Sequence, residues 1–239
     1  MNSELLTFNL DNDELFYLQG AASTIAGSET PILFDIGANI GDFSYVFLSM
    51  FPNAKIYAFE PVPEIFNNLK ERFKNFDNFE YYNLALSRTK GEKEFYYIKN
   101  SIGMSSLYYR PEHFPRFQTE KIIVKTDKLD NLAFPKNMKI DYMKIDTEGS
   151  EMSVLEGALE TIKEKSPSFI QWEYGGCYLD SKITGKEIIK LLEKLGYATS
   201  EYVSLSSTKT LYPVHPDNFR EDYSMRNLLS IKKSLGIYK

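Results

Sequence analysis

Phe34-Asp35-Ile36-Gly37-Ala38-Asn39-Ile40-Gly41-Asp42 is the stretch that decides the fold. The apolar run 32–34 meets an acid and passes into a Gly-x-Asn-x-Gly turn. Helical spacing follows at Phe43, Val46, Phe47 and Met50. The order reads strand, glycine loop, helix. Glycines in such a loop let the backbone approach a flat ligand where a Cβ would clash. The helix N-terminus behind it offers free N–H groups and the positive end of a dipole. A second acid, Glu60, closes the next apolar run, 56–59. Its distance from the loop suits a carboxylate that hydrogen-bonds a ribose diol, so an adenosine-type cofactor is expected.

The loop also says which cofactor. A dinucleotide fold shows Gly-x-Gly-x-x-Gly, and a triphosphate loop shows Gly-Lys-Ser/Thr. Neither is present. Asn39 replaces the middle glycine, and Asp35 at the strand tip repels pyrophosphate while favouring a cation. S-adenosyl-L-methionine carries a sulfonium and an α-ammonium, so charge points to it, with S-adenosyl-L-homocysteine as product. The opposing reading is an α/β fold that uses its glycines for packing alone.

Three blocks resemble the signatures of FkbM-type methyltransferases: 35–41 (Asp-Ile-Gly-Ala-Asn-Ile-Gly), 58–61 (Ala-Phe-Glu-Pro) and 144–151 (Lys-Ile-Asp-Thr-Glu-Gly-Ser-Glu). The segments 83–87 and 126–130 match the same pattern in order and spacing. The resemblance covers about residues 31–175. It implies an S-adenosylmethionine-dependent fold and, usually, O-methylation.

Composition bounds the rest. The chain has 239 residues, 43% of them hydrophobic, enough for one large domain or a domain with an appendage. The net charge of −5 argues against nucleic acid as partner. Cys177 is the single cysteine, so no intrachain disulfide forms, which fits a reducing compartment. No basic-then-apolar leader opens the sequence and no apolar run reaches membrane-span length, so no membrane partner and a cytoplasmic location are expected. A homo-oligomer is compatible with the sequence.

Strands are predicted at 31–35, 55–60, 79–84, 93–98, 122–126, 140–146, 168–173, 197–204 and 227–232, interleaved with helices. A leading helix is predicted over 13–26. The fold class is therefore α/β: a doubly wound, mostly parallel, seven-stranded Rossmann-like sheet, helices on both faces, the last strand antiparallel. Residues 1–30 read as an N-terminal helical extension and 31–239 as the methyltransferase domain. Residues 99–120 are loop-rich and polar-aromatic and read as a substrate-side loop or as a surface excursion.

Ligands in such sheets bind beyond the carboxyl ends of the strands, which collects Asp35, Glu60, Asp146 and Glu173 along one edge. Asp35 and Gly37 are assigned to the methionine end of the cofactor, with Asn39 shaping the loop and Gly41 counted among the cofactor-binding residues. Glu60 takes the ribose, Pro61 follows it, and Ala85, Leu86 and Ser87 frame the adenine. Methyl transfer to oxygen is an in-line displacement, so the protein must orient the acceptor and remove its proton. Asp146, also beside the cofactor, is the first choice of base. Glu148 either tunes Asp146 or binds acceptor hydroxyls. His113, in the long loop, is an alternative base. Glu151 reads as a favourable charge at a helix start. Glu173, Tyr174 and Arg110 are assigned to the acceptor, Arg110 as a grip for a diphosphate or as plain surface charge. Asp146 and Glu173 could share a divalent cation, but Tyr174-Gly175-Gly176 lacks the Asp-Asn pair of metal-dependent relatives, so no metal is assigned. The acceptor is read as a hydroxyl on a carbohydrate, for instance a nucleotide-activated sugar or surface-polysaccharide precursor, or on another small polar metabolite. A non-catalytic or N-methylating Rossmann-like binding protein is the alternative.

Overall fold

The computed structural model describes residues 12–99, 101–110, 118–205 and 208–237. Helix α1 (Asn12–Ile25) precedes strand β1 (Ile32–Ile36), α2 (Asp42–Met50), β2 (Lys55–Phe59), α3 (Pro63–Arg72) and β3 (Phe79–Tyr82). Then come β4 (Ala85–Leu86), β5 (Gly91–Ile98), β6 (Thr119–Asp127) and β7 (Tyr142–Ile145). Helices α4 (Glu151–Glu156) and α5 (Leu159–Lys165) lead to β8 (Phe169–Tyr174), α6 (Cys177–Ser181) and α7 (Gly185–Lys194). Strands β9 (Tyr197–Leu205), β10 (Thr208–Val214) and β11 (Arg226–Lys232) complete the chain.

The main sheet runs β10-β9-β11-β8-β7-β1-β2-β3. Pairings from β3 through β8 are all parallel; β11 is antiparallel to both β8 and β9, and β10 is antiparallel to β9. The sheet therefore has eight strands where seven were expected, and two of them are reversed. The extra strand is β10, whose Pro213 and Pro216 made that region read as loop. Pro213 is tolerated because β10 lies at the sheet edge, where a missing N–H costs no ladder bond to a further strand. A second sheet, β4-β6-β5, is separate from the first.

Alternation along the strands sorts the core into two layers. Phe34, Ile36, Met143, Ile145, Ile170 and Trp172 pack on one face with α4, α5 and α7. Leu33, Tyr142 and Phe169 pack on the other with Tyr17, Leu18 and Ala21 of α1 and Phe43, Val46 and Phe47 of α2. The same parity puts Asp35, Lys144, Gln171 and Glu173 on the α1 face. Local signals agree with the elements. Pro63 opens α3. Thr184 and Glu187 form a capping box at α7, with the Thr184 Oγ1 accepting from the Glu187 N–H at 3.3 Å and Glu187 Oε2 accepting from the Thr184 N–H at 2.8 Å.

Candidate functional site

The tips of β1, β2 and β7 meet at Gly37. Its N–H and that of Ala38 both donate to the Phe59 carbonyl at 3.0 Å. Gly37 has φ +82, and a Cβ there would come within 1.8 Å of the Asp146 carbonyl oxygen. Only glycine allows this approach. Beyond these tips opens a cavity of about 340 Å³. Its walls hold Gly37, Asn39, Glu60, Pro61, Ala85 and Leu86 of the residues assigned to the cofactor, together with Asp146 and Glu148. Apolar wall comes from Ile65, Leu84, Phe95 and Leu107.

Glu60 is buried and held from both sides: Oε2 accepts from the Asn39 N–H at 3.0 Å and Oε1 from the Val62 N–H at 2.8 Å. Burial pushes its carboxyl up to about 7, against the pull of those two N–H groups. Asn39 has φ 50, and its side-chain Oδ1 is buried in the cavity wall with no partner among the described residues. The Ser150 hydroxyl oxygen is in the same state. Orphaned buried acceptors that face a cavity are what a ligand with hydroxyl and ammonium donors satisfies.

On the β7 side, the Lys144 ammonium donates to Asp146 Oδ2 at 2.8 Å and lies 3.5 Å from Glu14 Oε1, so one buried cation joins β7 to α1. Burial depresses the Lys144 pKa, but Asp146, Glu14 and Asp35 together raise it well above its ordinary value, and the group stays charged. Asp146, Glu148 and Glu173 each place a carboxylate oxygen within 4.8 Å of the others. Glu148, at φ 52, receives Arg110 Nη1 at 2.8 Å, and the Ser106 hydroxyl donates to its carbonyl at 2.7 Å. Burial first, then the Asp146 charge, pushes Glu148 up to about 8 despite Arg110. The same two causes raise Glu173 well above the usual carboxylate range. Arg110 also lies 3.6 Å from Asp180. Gly103, Ser105 and Leu107, from the stretch between β5 and Arg110, form part of the cavity wall.

Several expected site residues are elsewhere. Asp35 is fully buried and is not part of the cavity wall; its Oδ2 accepts from the Ser44 hydroxyl at 2.6 Å on the α1 face of the sheet, and its Oδ1 is buried with no partner among the described residues. Burial raises its pKa, with Lys144 opposing. Gly41 serves packing, since a Cβ there would come within 2.5 Å of the Phe73 ring. Ser87 is a joint: its hydroxyl meets Ser153 at 3.2 Å and Lys93 Nζ at 3.0 Å, and Gly157 presses on its carbonyl. Tyr174 points to the opposite sheet face from Glu173, because strand side chains alternate. It is fully buried beside Tyr178 and Phe219, and its hydroxyl donates to Glu221 at 2.9 Å. Glu173 and Arg110 stand next to the cavity wall without forming it. His113 lies outside the described residues. Glu151 is buried, and its carboxylate accepts from the Thr147 and Gly149 N–H groups at 2.9 and 3.0 Å, the helix-start role read from its position. Sequence reasoning missed Glu14, which reaches the cavity from α1, and Ser150, which sits inside the quoted third block but carries no charge to mark it.

A sheet in the order β3-β2-β1-β7-β8-β11-β9, with a glycine loop after β1 and an acid after β2, is a Rossmann-like methyltransferase fold. The chain belongs to the methyltransferase FkbM domain family, whose model matches residues 35–199. Its methyl donor is S-adenosyl-L-methionine, and Glu60, the orphaned Asn39 Oδ1 and the Gly37 approach fit that cofactor. The chain is similar to 2-O-methyltransferase NoeI of Sinorhizobium fredii (strain NBRC 101917 / NGR234): 28% identity over 156 residues, 60% of this chain and 63% of that one. It is also similar to methyltransferase sdnD of Sordaria araneosa, at 29% over 160 residues, 54% of this chain and 61% of that one. The match thus spans less than two thirds of either relative's length. Among solved structures, a SAM-dependent methyltransferase from Aquifex aeolicus superposes with a TM-score of 0.48 at 12% identity, covering 92% of this chain and 89% of that chain.

Proposed function

We propose that this protein transfers the methyl group of S-adenosyl-L-methionine to a hydroxyl of a carbohydrate, such as a nucleotide-linked sugar, or of a comparable small polar metabolite. One observation carries the reading: Asp146 lies in the cofactor cavity wall and at the same time within 4.8 Å of Glu148 and Glu173. Carboxylates so grouped accept hydrogen bonds from neighbouring hydroxyls on one molecule, and Asp146 is placed to receive the proton of the one that reacts. The name of the NoeI relative supports oxygen as the acceptor atom. Glu60 takes the ribose, and Ala85 and Leu86 the adenine. Glu148 and Glu173 bind acceptor hydroxyls, and Arg110 holds Glu148 in place. No metal is invoked, because Lys144 and Arg110 already supply the cations for Asp146 and Glu148.

Residues 31–239 form the methyltransferase domain in this reading, with 99–120 as its substrate-side segment. The acceptor is a small molecule met in the cytoplasm. Among the described residues, no helix is long and apolar enough to cross a membrane. The test is an acceptor screen with isotopically labelled cofactor against sugars, nucleotide sugars and matched amines. Label in a methyl ether supports the reading. Label only on nitrogen overturns it in favour of amine methylation.

A further inference from the structure

The adenine of the cofactor carries an exocyclic amine with hydrogens to donate, and a donor taken out of water unpaired is costly. With the ring against Ala85 and Leu86, the nearest side chains accept nothing. The sequence assigns the amine to Ser87, and the structure withdraws that residue. Ser87 is not part of the cavity wall, and its hydroxyl is engaged by Ser153 and Lys93.

Ser150 stands where a replacement is needed. It belongs to the cavity wall together with Ala85 and Leu86 and is 2% exposed. Its hydroxyl oxygen is buried with no partner among the described residues. A serine at the N-cap position of a helix ordinarily accepts from an N–H two or three residues on. Ser150 holds that position in α4 and its side chain makes no such bond. The Thr147 and Gly149 N–H groups go to the Glu151 carboxylate instead. The start of α4 therefore accounts for Glu151 and leaves the Ser150 hydroxyl unused.

Helix spacing places that hydroxyl. Ser150, Ser153 and Gly157 are spaced by three and then four residues, so they share one face of α4. The rest of that face rests on the chain just after Leu86. Ser153 Oγ meets Ser87 Oγ at 3.2 Å and accepts from the Arg88 N–H at 3.1 Å. A Cβ on Gly157 would come within 2.2 Å of the Ser87 carbonyl oxygen. Ser150 lies one turn further along the same face, at the β7 end of the helix, where the cavity opens.

We propose that the Ser150 hydroxyl oxygen accepts a hydrogen bond from the exocyclic amine of the cofactor's adenine, so that α4 supplies the polar partner that Ser87 does not. The inference rests on the placement of the adenine at Ala85 and Leu86. It makes Ser150 a residue that selects the base.

Binding tests it, measured by calorimetry with S-adenosyl-L-homocysteine and with the analogue that bears hydrogen in place of the exocyclic amine. The unaltered protein should prefer the amine-bearing ligand by about three- to tenfold. Ser150→Ala should lose about that factor for S-adenosyl-L-homocysteine and stay within about twofold for the analogue. Equal losses on both ligands, or no loss on either, overturn the proposal. Ala85→Val narrows the frame of the ring and tests its placement separately: both ligands should weaken alike. If they do while Ser150→Ala changes neither, the proposal fails and the placement of the adenine stands. If Ala85→Val weakens neither ligand, the placement fails and the proposal with it.

Discussion

Arg110 Nη1 lies 2.8 Å from Glu148 Oε2, and that one contact ties the stretch after β5 to the tip of β7. The Ser106 hydroxyl reinforces it at the Glu148 carbonyl, and Ser106 itself bridges to Tyr96 of β5. Gly103, Ser105 and Leu107 are thereby held as cavity wall. The contact is buried on both sides, so removing Arg110 leaves the buried Glu148 carboxyl without its hydrogen-bond donor.

Arg110→Ala should therefore act on the acceptor side. The acceptor KM is expected to rise by about tenfold, with cofactor affinity changed far less, since Arg110 does not itself form the cavity wall. Initial rates at varied acceptor and fixed saturating cofactor check this. An equal loss in cofactor affinity would show that the stretch closes on the nucleoside instead.

Glu60 gives a pH prediction. Folded Glu60 titrates near 7, against an ordinary value of 4.5. Between those values the folded state holds a proton that the unfolded state has released. Stability of the ligand-free protein should fall as pH rises through that window, by about 3 kcal/mol from this group alone. Cofactor binding runs the other way: the ionised carboxylate is the better acceptor for two ribose hydroxyls, so affinity should rise from pH 6 to pH 8. Glu60→Gln should flatten both slopes. Melting curves and titrations at stepped pH read them.

Asp146→Asn retains the hydrogen-bond acceptor towards Lys144 but cannot take a proton. Turnover should drop by about 10²–10⁴-fold with cofactor affinity nearly unchanged. Single-turnover rates with pre-bound cofactor are the measurement. A variant with full turnover would remove Asp146 from the proton transfer.

Gly37→Ala introduces a Cβ where the Asp146 carbonyl oxygen stands 1.8 Å away, at a φ of +82 that alanine disfavours. β1 and β7 would have to separate at the site itself. A loss of about 3 kcal/mol or more in stability is expected, with cofactor binding abolished in whatever remains folded. Gly20, in an open part of α1, is the control: Gly20→Ala should be neutral or slightly stabilising.

Tyr174→Phe separates core from site. The hydroxyl donates to Glu221 at 2.9 Å and accepts from the Tyr223 N–H at 3.2 Å, away from the cavity. Its removal should lower stability by about 1–2 kcal/mol and leave kcat and KM unchanged. A raised acceptor KM would return Tyr174 to the substrate site.

The strand–glycine loop–helix unit was legible in the chain because its signals are local: Gly37 at a positive φ, the apolar run before it, the helical spacing after it. The position of Glu60 and Asp146 at the cavity was legible for the same reason, since each ends an apolar run and a parallel sheet gathers strand ends along one edge. The mostly parallel α/β sheet followed from the alternation of elements. What the tertiary structure decided was the direction of each side chain and the meeting of distant residues. Asp35 and Lys144 share one sheet face by parity, and the packing of α2 closes Ser44 over the first while leaving the second open to the cavity. Tyr174 and Glu173 are neighbours in sequence and opposite in space. Glu14 lies 130 positions before Lys144, and only the docking of α1 on β8 and β11 brings them together. Pairings of that separation depend on the packing of whole elements, which no short window of sequence contains.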